Sequence, residues 1–326
     1  MTAMQQEPDT AVQEGNAWRQ QLKLQLVQLE VAPNVEENIR RMQGLLDPAA
    51  DFALLPELWN CPYDNDMILQ AASRDRDSRR AMSQAAAGHH LWLAGSIPWR
   101  QNGHIYNMAF VFDDQGLEVC RYAKTHLMEV NTTRSHYSEA DVFTPGEAFC
   151  AFETPWGRMG ILVCYDIRFP EPARLLAQAG IRVLLLPAAF NEAAGQKHWQ
   201  PLLCTRALEN QIFAAGCNPR YTWKGYKAWG HSLAVSPDGV ILQEGPGTVE
   251  LDLEQVDRIR QRMPYTKIRR QDLYRLESPV PVEISALSAG EAQSVVDPGI
   301  PDRRDPEQAV QSSPDKKHRN ETQKGK

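Results

Sequence analysis

The chain has 326 residues, 42% of them hydrophobic and 23% charged, enough for one large or two modest domains with a full core. A net charge of −6 and a pI near 5.8 give no electrostatic reason to expect a nucleic acid or an anionic membrane as partner. No apolar run could span a bilayer, and the polar start MTAMQQEPDTAVQEGNAWRQ has no secretory apolar core.

Residues 1–17 read as a disordered N-terminal segment, and the domain proper as 18–278. Leu22 to Val31 reads as a strand. A helix follows, started by Asn34 with Glu37 three residues on and carried by Val35, Ile39, Met42 and Leu46 at helical spacing. Phe52 to Leu55 is a short buried-type strand stopped by Pro56, Met67 to Ala87 reads as helical, and Leu91 to Ile97 as a strand. The β-rich runs Ile105–Phe112 and Leu117–Tyr122 flank Asp113-Asp114-Gln115-Gly116, a hairpin signal. Arg158 to Val163 is a strand running into Cys164. A helix over Glu171–Ala179 ends at Gly180. Next come a strand at Ile181–Leu186, a helix over His198–Glu209 and a strand at Ile212–Cys217. A second hairpin lies over His231–Ser236 and Val240–Gln243, around Pro237-Asp238-Gly239. Residues 279–326 contain six prolines and no aromatic residue, the composition of a disordered tail. Its basic end (Lys316, Lys317, Arg319, Lys324, Lys326) reads as solvated. This order of β-α-β units and hairpins predicts a mixed sheet faced by helices.

The six cysteines (Cys61, Cys120, Cys150, Cys164, Cys204 and Cys217) form no CxxC pair and have no histidine at ligand spacing. They read as reduced thiols of a cytoplasmic protein. His89-His90 is adjacent rather than four apart, and no metal is expected.

Four places join a reactive side chain to the end of a predicted strand. In Leu54-Leu55-Pro56-Glu57-Leu58-Trp59 a carboxylate sits at a sheet rim among hydrophobic neighbours, which should raise its pKa and suit it to act as a base. Lys124, in Tyr122-Ala123-Lys124-Thr125-His126-Leu127, could steady an oxyanion; a lone lysine after a strand is more often solvated. Ser138-Glu139-Ala140-Asp141 opens an acidic loop, weak by itself. In Gly160-Ile161-Leu162-Val163-Cys164-Tyr165-Asp166-Ile167-Arg168-Phe169-Pro170-Glu171 a cysteine follows an apolar run at a strand-to-turn step, the layout of a nucleophile elbow with Cys for Ser. A thiol near helix-start amides and a cation should be partly ionised. A buried structural cysteine is the alternative, and the polar Tyr-Asp-x-Arg-Phe after it argues against that.

Glu in LLPE, Lys in YAKTHL and Cys in GILVCYDIRFPE, in that order, resemble the nitrilase superfamily of carbon–nitrogen hydrolases over about Leu22 to Tyr274. AGSIP at 94–98, YNMAFVF at 106–112, TPGE at 144–147, PAAFN at 187–191, RALEN at 206–210 and GHS at 230–232 resemble it too. CYDIRF, AFN and HW at 198–199 resemble its omega-amidase branch.

The resemblance implies a four-layer αββα sandwich with mixed sheets, no cofactor, and sandwiches paired into a homodimer. It implies Glu57 as general base, Lys124 as oxyanion stabiliser, Cys164 as nucleophile and Glu139 as the second glutamate. It also implies the Tyr165 N–H in the oxyanion hole, with Arg168 gripping a substrate carboxylate and Asn191 beside the substrate. The expected reaction is release of ammonia from a small carboxylate-bearing amide through a thioester. Alternatives in the superfamily are a nitrile, an N-carbamoyl compound or a deaminated-peptide amide. Outside it stand a Cys164–His126 or Cys164–His231 dyad and an idle binding subunit on the same scaffold. Segments Val130–Tyr137 and Asn218–Trp229 depart from the branch and are expected to border the pocket.

Overall fold

The computed structural model describes residues 18–131 and 136–287. The segment 1–17, residues 288–326 with their basic end, and residues 132–135 of the Val130–Tyr137 loop lie outside the described residues.

Strand β1 (Gln21–Leu26) leads to helix α1 (Val35–Leu45) and strand β2 (Phe52–Leu54). The Asn34 side chain caps α1, accepting from the Glu37 N–H at 2.9 Å. The Glu37 carboxylate pairs with Arg41, so only the Asn34 half of the expected start signal is used. The helix expected over Met67–Ala87 is two helices, α2 (Asn65–Ala72) and α3 (Asp75–His89). Between them Ser73 Oγ donates to the Gln70 carbonyl, a local bond that competes with helix continuation. Strands β3 (Trp92–Gln101), β4 (His104–Phe112) and β5 (Glu118–Ala123) form a meander. Its second turn is the expected hairpin, closed by the Asp113 carboxylate accepting from the Gln115 and Leu117 N–H groups.

A short ribbon, β6 (Glu129–Asn131) with β7 (His136–Ser138), precedes β8 (Cys150–Phe152) and β9 (Met159–Ile161). Helix α4 (Pro170–Gln178), strand β10 (Val183–Pro187), the single turn α5 (Glu192–Ala194), helix α6 (Gln200–Asn210) and strand β11 (Phe213–Cys217) follow. A second ribbon, β12 (Thr222–Trp223) with β13 (Tyr226–Lys227), precedes the second expected hairpin, β14 (Leu233–Val235) with β15 (Ile241–Glu244). Strand β16 (Gly247–Asp252), helix α7 (Glu254–Arg262) and strand β17 (Glu283–Ser285) complete the described chain.

Among the described residues the strands form a six-stranded sheet, β16-β1-β2-β3-β4-β5, and a seven-stranded sheet, β15-β14-β11-β10-β9-β8-β17, beside the two ribbons. Period-two alternation sorts the first sheet: Leu22, Leu24, Leu26, Phe52, Leu54 and Val111 pack toward the second sheet. Ala53, Leu93, Phe110 and Phe112 pack instead with Met42, Ile68 and Met82 of the first three helices. Helices α4 and α6 cover the outer face of the second sheet, whose strands β10 and β11 are buried throughout. Gly216 permits that contact, because a Cβ there would lie 2.4 Å from the Trp199 ring. The architecture is the expected αββα sandwich with mixed sheets.

Two expectations are corrected. The tail does not start at 279, since Glu283–Ser285 pairs in parallel with Cys150–Phe152 as an edge strand. Nor are all six cysteines thiols: Cys120 of β5 and Cys150 of β8 meet in the core between the sheets and form a disulfide, leaving Cys61, Cys164, Cys204 and Cys217 free. Sheet packing, which spacing along the chain does not reveal, brings that pair together. Among the described residues no helix is long and apolar enough to cross a membrane.

Candidate active site

Four chain segments deliver the site at the ends of strands from both sheets. Glu57 follows β2; its N–H donates to the Ala188 carbonyl across the sandwich, and the next residue, Leu58, turns with φ 48°. Lys124 follows β5 and is held on both sides of its peptide. Its N–H donates to the Asn107 carbonyl and its carbonyl accepts from the Gly146 N–H, each at 2.9 Å. Gly146, of the TPGE motif, must lack a side chain, since a Cβ would lie 2.2 Å from the Ala123 carbonyl oxygen. Glu139 opens a single 3-10 turn whose start is capped by Ser138. Cys164 follows β9 at the first residue of a tight turn, with φ 44°. A non-glycine residue in that left-handed region costs about 1–3 kcal/mol and persists where the surroundings over-determine it.

These residues converge. Lys124 Nζ lies 2.9 Å from Glu57 Oε1 and 2.7 Å from Glu139 Oε1, and each of the three residues is 1% exposed. Lys124 is therefore not the solvated lysine that its place after a strand alone would suggest, but a buried cation clamped by two carboxylates. The Tyr63 hydroxyl and the Met128 N–H also donate to Glu139, and Asn107 Nδ2 donates to Glu57 Oε1 at 2.7 Å. Glu57 Oε2 is buried with no hydrogen-bond partner among the described residues.

Burial raises the Glu57 carboxyl above its ordinary value, with Lys124 opposing the rise and Glu139 adding to it. This is the shift read from its hydrophobic neighbours. Burial alone would depress the Lys124 ammonium, but Glu139 and Glu57 outweigh it and hold its pKa well above the lysine range. Cys164 departs from expectation. Burial first, and the Glu57 charge second, push its thiol well above the usual range; Lys124 and the Ala189 N–H pull the other way without prevailing. Burial thus disfavours a standing thiolate in the free site. The expected ionisation overlooked desolvation, which dominates for a side chain sealed in this way.

Asp166 ties the nucleophile turn to the lysine segment. Its carboxylate accepts from the Val163 N–H, the Tyr122 hydroxyl, and the backbone and side chain around Thr125 and His126, all at 2.8–3.1 Å. The sequence signal for it was the polarity of the residues after Cys164. Tyr165 stacks edge-on to Phe169, and among the described residues its N–H makes no hydrogen bond. The Arg168 guanidinium lies over the Tyr165 and Phe190 rings, 5.4 and 5.2 Å from their centroids. Its Nη1 is 3.2 Å from His198 Nδ1, and its buried Nε has no hydrogen-bond partner among the described residues. It makes no ion pair with Asp166, Glu171 or any other carboxylate among the described residues. The Asn191 side chain caps the single turn α5, accepting from the Ala194 N–H.

Among the described residues neither histidine is hydrogen-bonded to Cys164. His126 Nδ1 is 2.8 Å from Asp166, and His231 stacks on Trp229 and pairs with Glu244. The two departing segments supply tyrosines that sequence reading did not single out. Tyr226 stacks on Tyr63 at 5.6 Å and lies 5.8 Å from Tyr221, while Tyr137 lies 5.9 Å from Tyr63. The Tyr226 hydroxyl donates to the Ala189 carbonyl. Burial raises the Tyr63 and Tyr226 hydroxyls, and the Glu57 and Cys164 charges add to both rises, which sets this aromatic wall against the cluster.

The carbon–nitrogen hydrolase family model matches residues 21–262. Omega-amidase NIT2 of Xenopus tropicalis is 36% identical over 268 residues, covering 78% of this chain and 97% of its own length. Human omega-amidase NIT2 is 34% identical over 273 residues, covering 79% and 99%. Among solved structures, Saccharomyces cerevisiae Nit3, a member of branch 10 of the nitrilase superfamily, superposes with a TM-score of 0.70 at 30% identity, over 78% of this chain and all of that one. The C. elegans NitFhit protein superposes with a TM-score of 0.76 at 26% identity, over 80% and 68%. With the fold, the buried Glu–Lys–Cys cluster and these likenesses in agreement, the chain belongs to the carbon–nitrogen hydrolase family.

Proposed function

We propose that this chain releases ammonia from the terminal amide of a small carboxylic acid, as an omega-amidase does, with Cys164 as nucleophile. Glu57 takes the thiol proton on its open Oε2, and the thiolate attacks the amide carbon. Lys124 has a third N–H beyond the two held by Glu57 and Glu139; it and the Tyr165 N–H stabilise the oxyanion. The tetrahedral intermediate collapses as Glu57 returns its proton to the leaving nitrogen, and ammonia departs. Glu57 then deprotonates a water that hydrolyses the thioester, releasing the acid and restoring the thiol. Glu139 holds Lys124 in place, and Asn191 shapes the substrate side through its backbone and cap. The filled Glu–Lys–Cys set favours an enzyme over an idle binding subunit.

The observation that carries the substrate class is Arg168, a guanidinium without a carboxylate partner, on the turn that bears the nucleophile. Its planar fork suits a carboxylate at the far end of the substrate. Omega-amidase relatives support the same class over nitriles, N-carbamoyl compounds and deaminated-peptide amides. A homodimer belongs to this reading, supported by the exposed Leu208, Val240 and Met263.

Arg168→Ala is expected to lower kcat/KM by about 2–4 kcal/mol for the monoamide of a dicarboxylic acid, a charge-assisted contact being lost. A neutral amide of the same length should be hydrolysed nearly as before. Steady-state ammonia release on both substrates decides it. Equal losses would make Arg168 a scaffold residue and remove the carboxylate assignment.

A further inference from the structure

We infer that Asn107 is a positioning residue that fixes which oxygen of Glu57 serves as the base, an inference that rests on the reading of Glu57 as that base. Asn107 lies on β4 in the YNMAFVF run, 1% exposed. It holds two members of the cluster at once: its carbonyl accepts from the Lys124 N–H at 2.9 Å, and its Nδ2 donates to Glu57 Oε1 at 2.7 Å. An ionised carboxylate only accepts, so the amide nitrogen, not the oxygen, must face it. Lys124 Nζ binds the same Oε1 at 2.9 Å. Two donors therefore occupy one oxygen, while Oε2 stays buried and open. The carboxylate cannot rotate about its last bond without breaking both contacts, and Oε2 is left as the proton acceptor.

The arrangement has a chemical consequence beyond orientation. A donor on the ionised form favours ionisation. Without the Asn107 amide, Glu57 ionises less readily, so the rise of activity with pH that reports an ionised base moves to higher pH. The other groups bearing on Glu57 are Lys124, Glu139 and Cys164, with the hydroxyls of Tyr63, Tyr137, Tyr221 and Tyr226. None of these is changed by a substitution at 107. Among the described residues Asn107 Oδ1 makes no hydrogen bond, so removing the amide breaks no other side-chain hydrogen bond there.

The test is Asn107→Leu, close in size and without the donor, assayed for kcat and KM across pH on an amide that the wild type hydrolyses. The expected result is a fall in kcat of about ten- to a hundredfold with KM nearly unchanged, and an acid limb moved up by about one pH unit. If the Leu variant does not accumulate folded, Asn107→Ala, which also lacks the donor, carries the same two expectations. An acid limb that stays in place, or a loss confined to KM, overturns the inference, because a merely structural defect does not shift the ionisation of Glu57. Glu57→Gln separates the underlying reading: a Gln variant with wild-type turnover overturns the base assignment itself, whereas an inactive one beside an unmoved Asn107→Leu profile overturns only the role of Asn107.

Discussion

Cys164→Ser is expected to leave the fold intact and lower kcat by about 10⁴-fold or more. The change replaces one sulfur by one oxygen at a side chain already 7% exposed, and serine accepts the φ of 44° no worse than cysteine. What it removes is acidity. The thiol already stands well above its usual range because of burial and the Glu57 charge, so its deprotonation depends on Glu57 acting during attack. A hydroxyl, several pK units less acidic, is beyond what a carboxylate base can supply. Ammonia release with a thermal melt alongside checks both halves. A Ser variant within tenfold of wild type would remove Cys164 from the reaction.

Lys124→Met is expected to abolish turnover and to destabilise the fold in a pH-dependent way. Lys124 bridges two carboxylates, all three groups being buried. Removing the cation from such a set costs about 3–5 kcal/mol, since uncompensated charge stays in the interior. The folded variant can relieve that cost by protonating a carboxyl, and Glu57 is the one burial already raises. Without Lys124 its folded pKa lies further above the unfolded value, so the folded variant holds a proton that the unfolded chain has released. Stability is then greatest below the unfolded carboxylate range and falls as pH rises through the folded value. Urea unfolding at about pH 5 and pH 8 should show a much larger deficit against wild type at the higher pH. Equal deficits would mean that Lys124 contributes packing and not charge.

The chemistry was legible in the sequence where it is local. Glu57, Lys124 and Cys164 each sit at the end of an apolar strand run, and the step from strand to polar turn marks them without knowledge of the partners. The hairpin at Asp113–Gly116 and the cap at Asn34 were legible for the same reason, being set by side chains two to four residues away. What depended on distant packing was not. Strand β16 pairs along β1, Gln21 opposite Asp252, and nothing near either residue announces it. Asn107 looks like one more strand position until the sandwich brings Glu57 over it. The Cys120–Cys150 bond and the pairing of β17 with β8 are products of sheet packing. The rise that burial imposes on the Cys164 thiol is not legible, because spacing shows the cation and the turn amides but not the depth of burial, which is the larger effect. The tyrosines come from two segments that depart from the related branch, where position along the chain says least about position in space.

The most direct measurement of the central claim is mass spectrometry of the intact chain, quenched during turnover of a dicarboxylic acid monoamide and then digested. The account predicts an acyl adduct on the peptide carrying Cys164, with mass equal to the substrate less ammonia, formed together with a burst of released ammonia and absent from Cys164→Ser. Undiminished turnover with no adduct on Cys164, or an adduct on Cys61, Cys204 or Cys217 in its place, would contradict it.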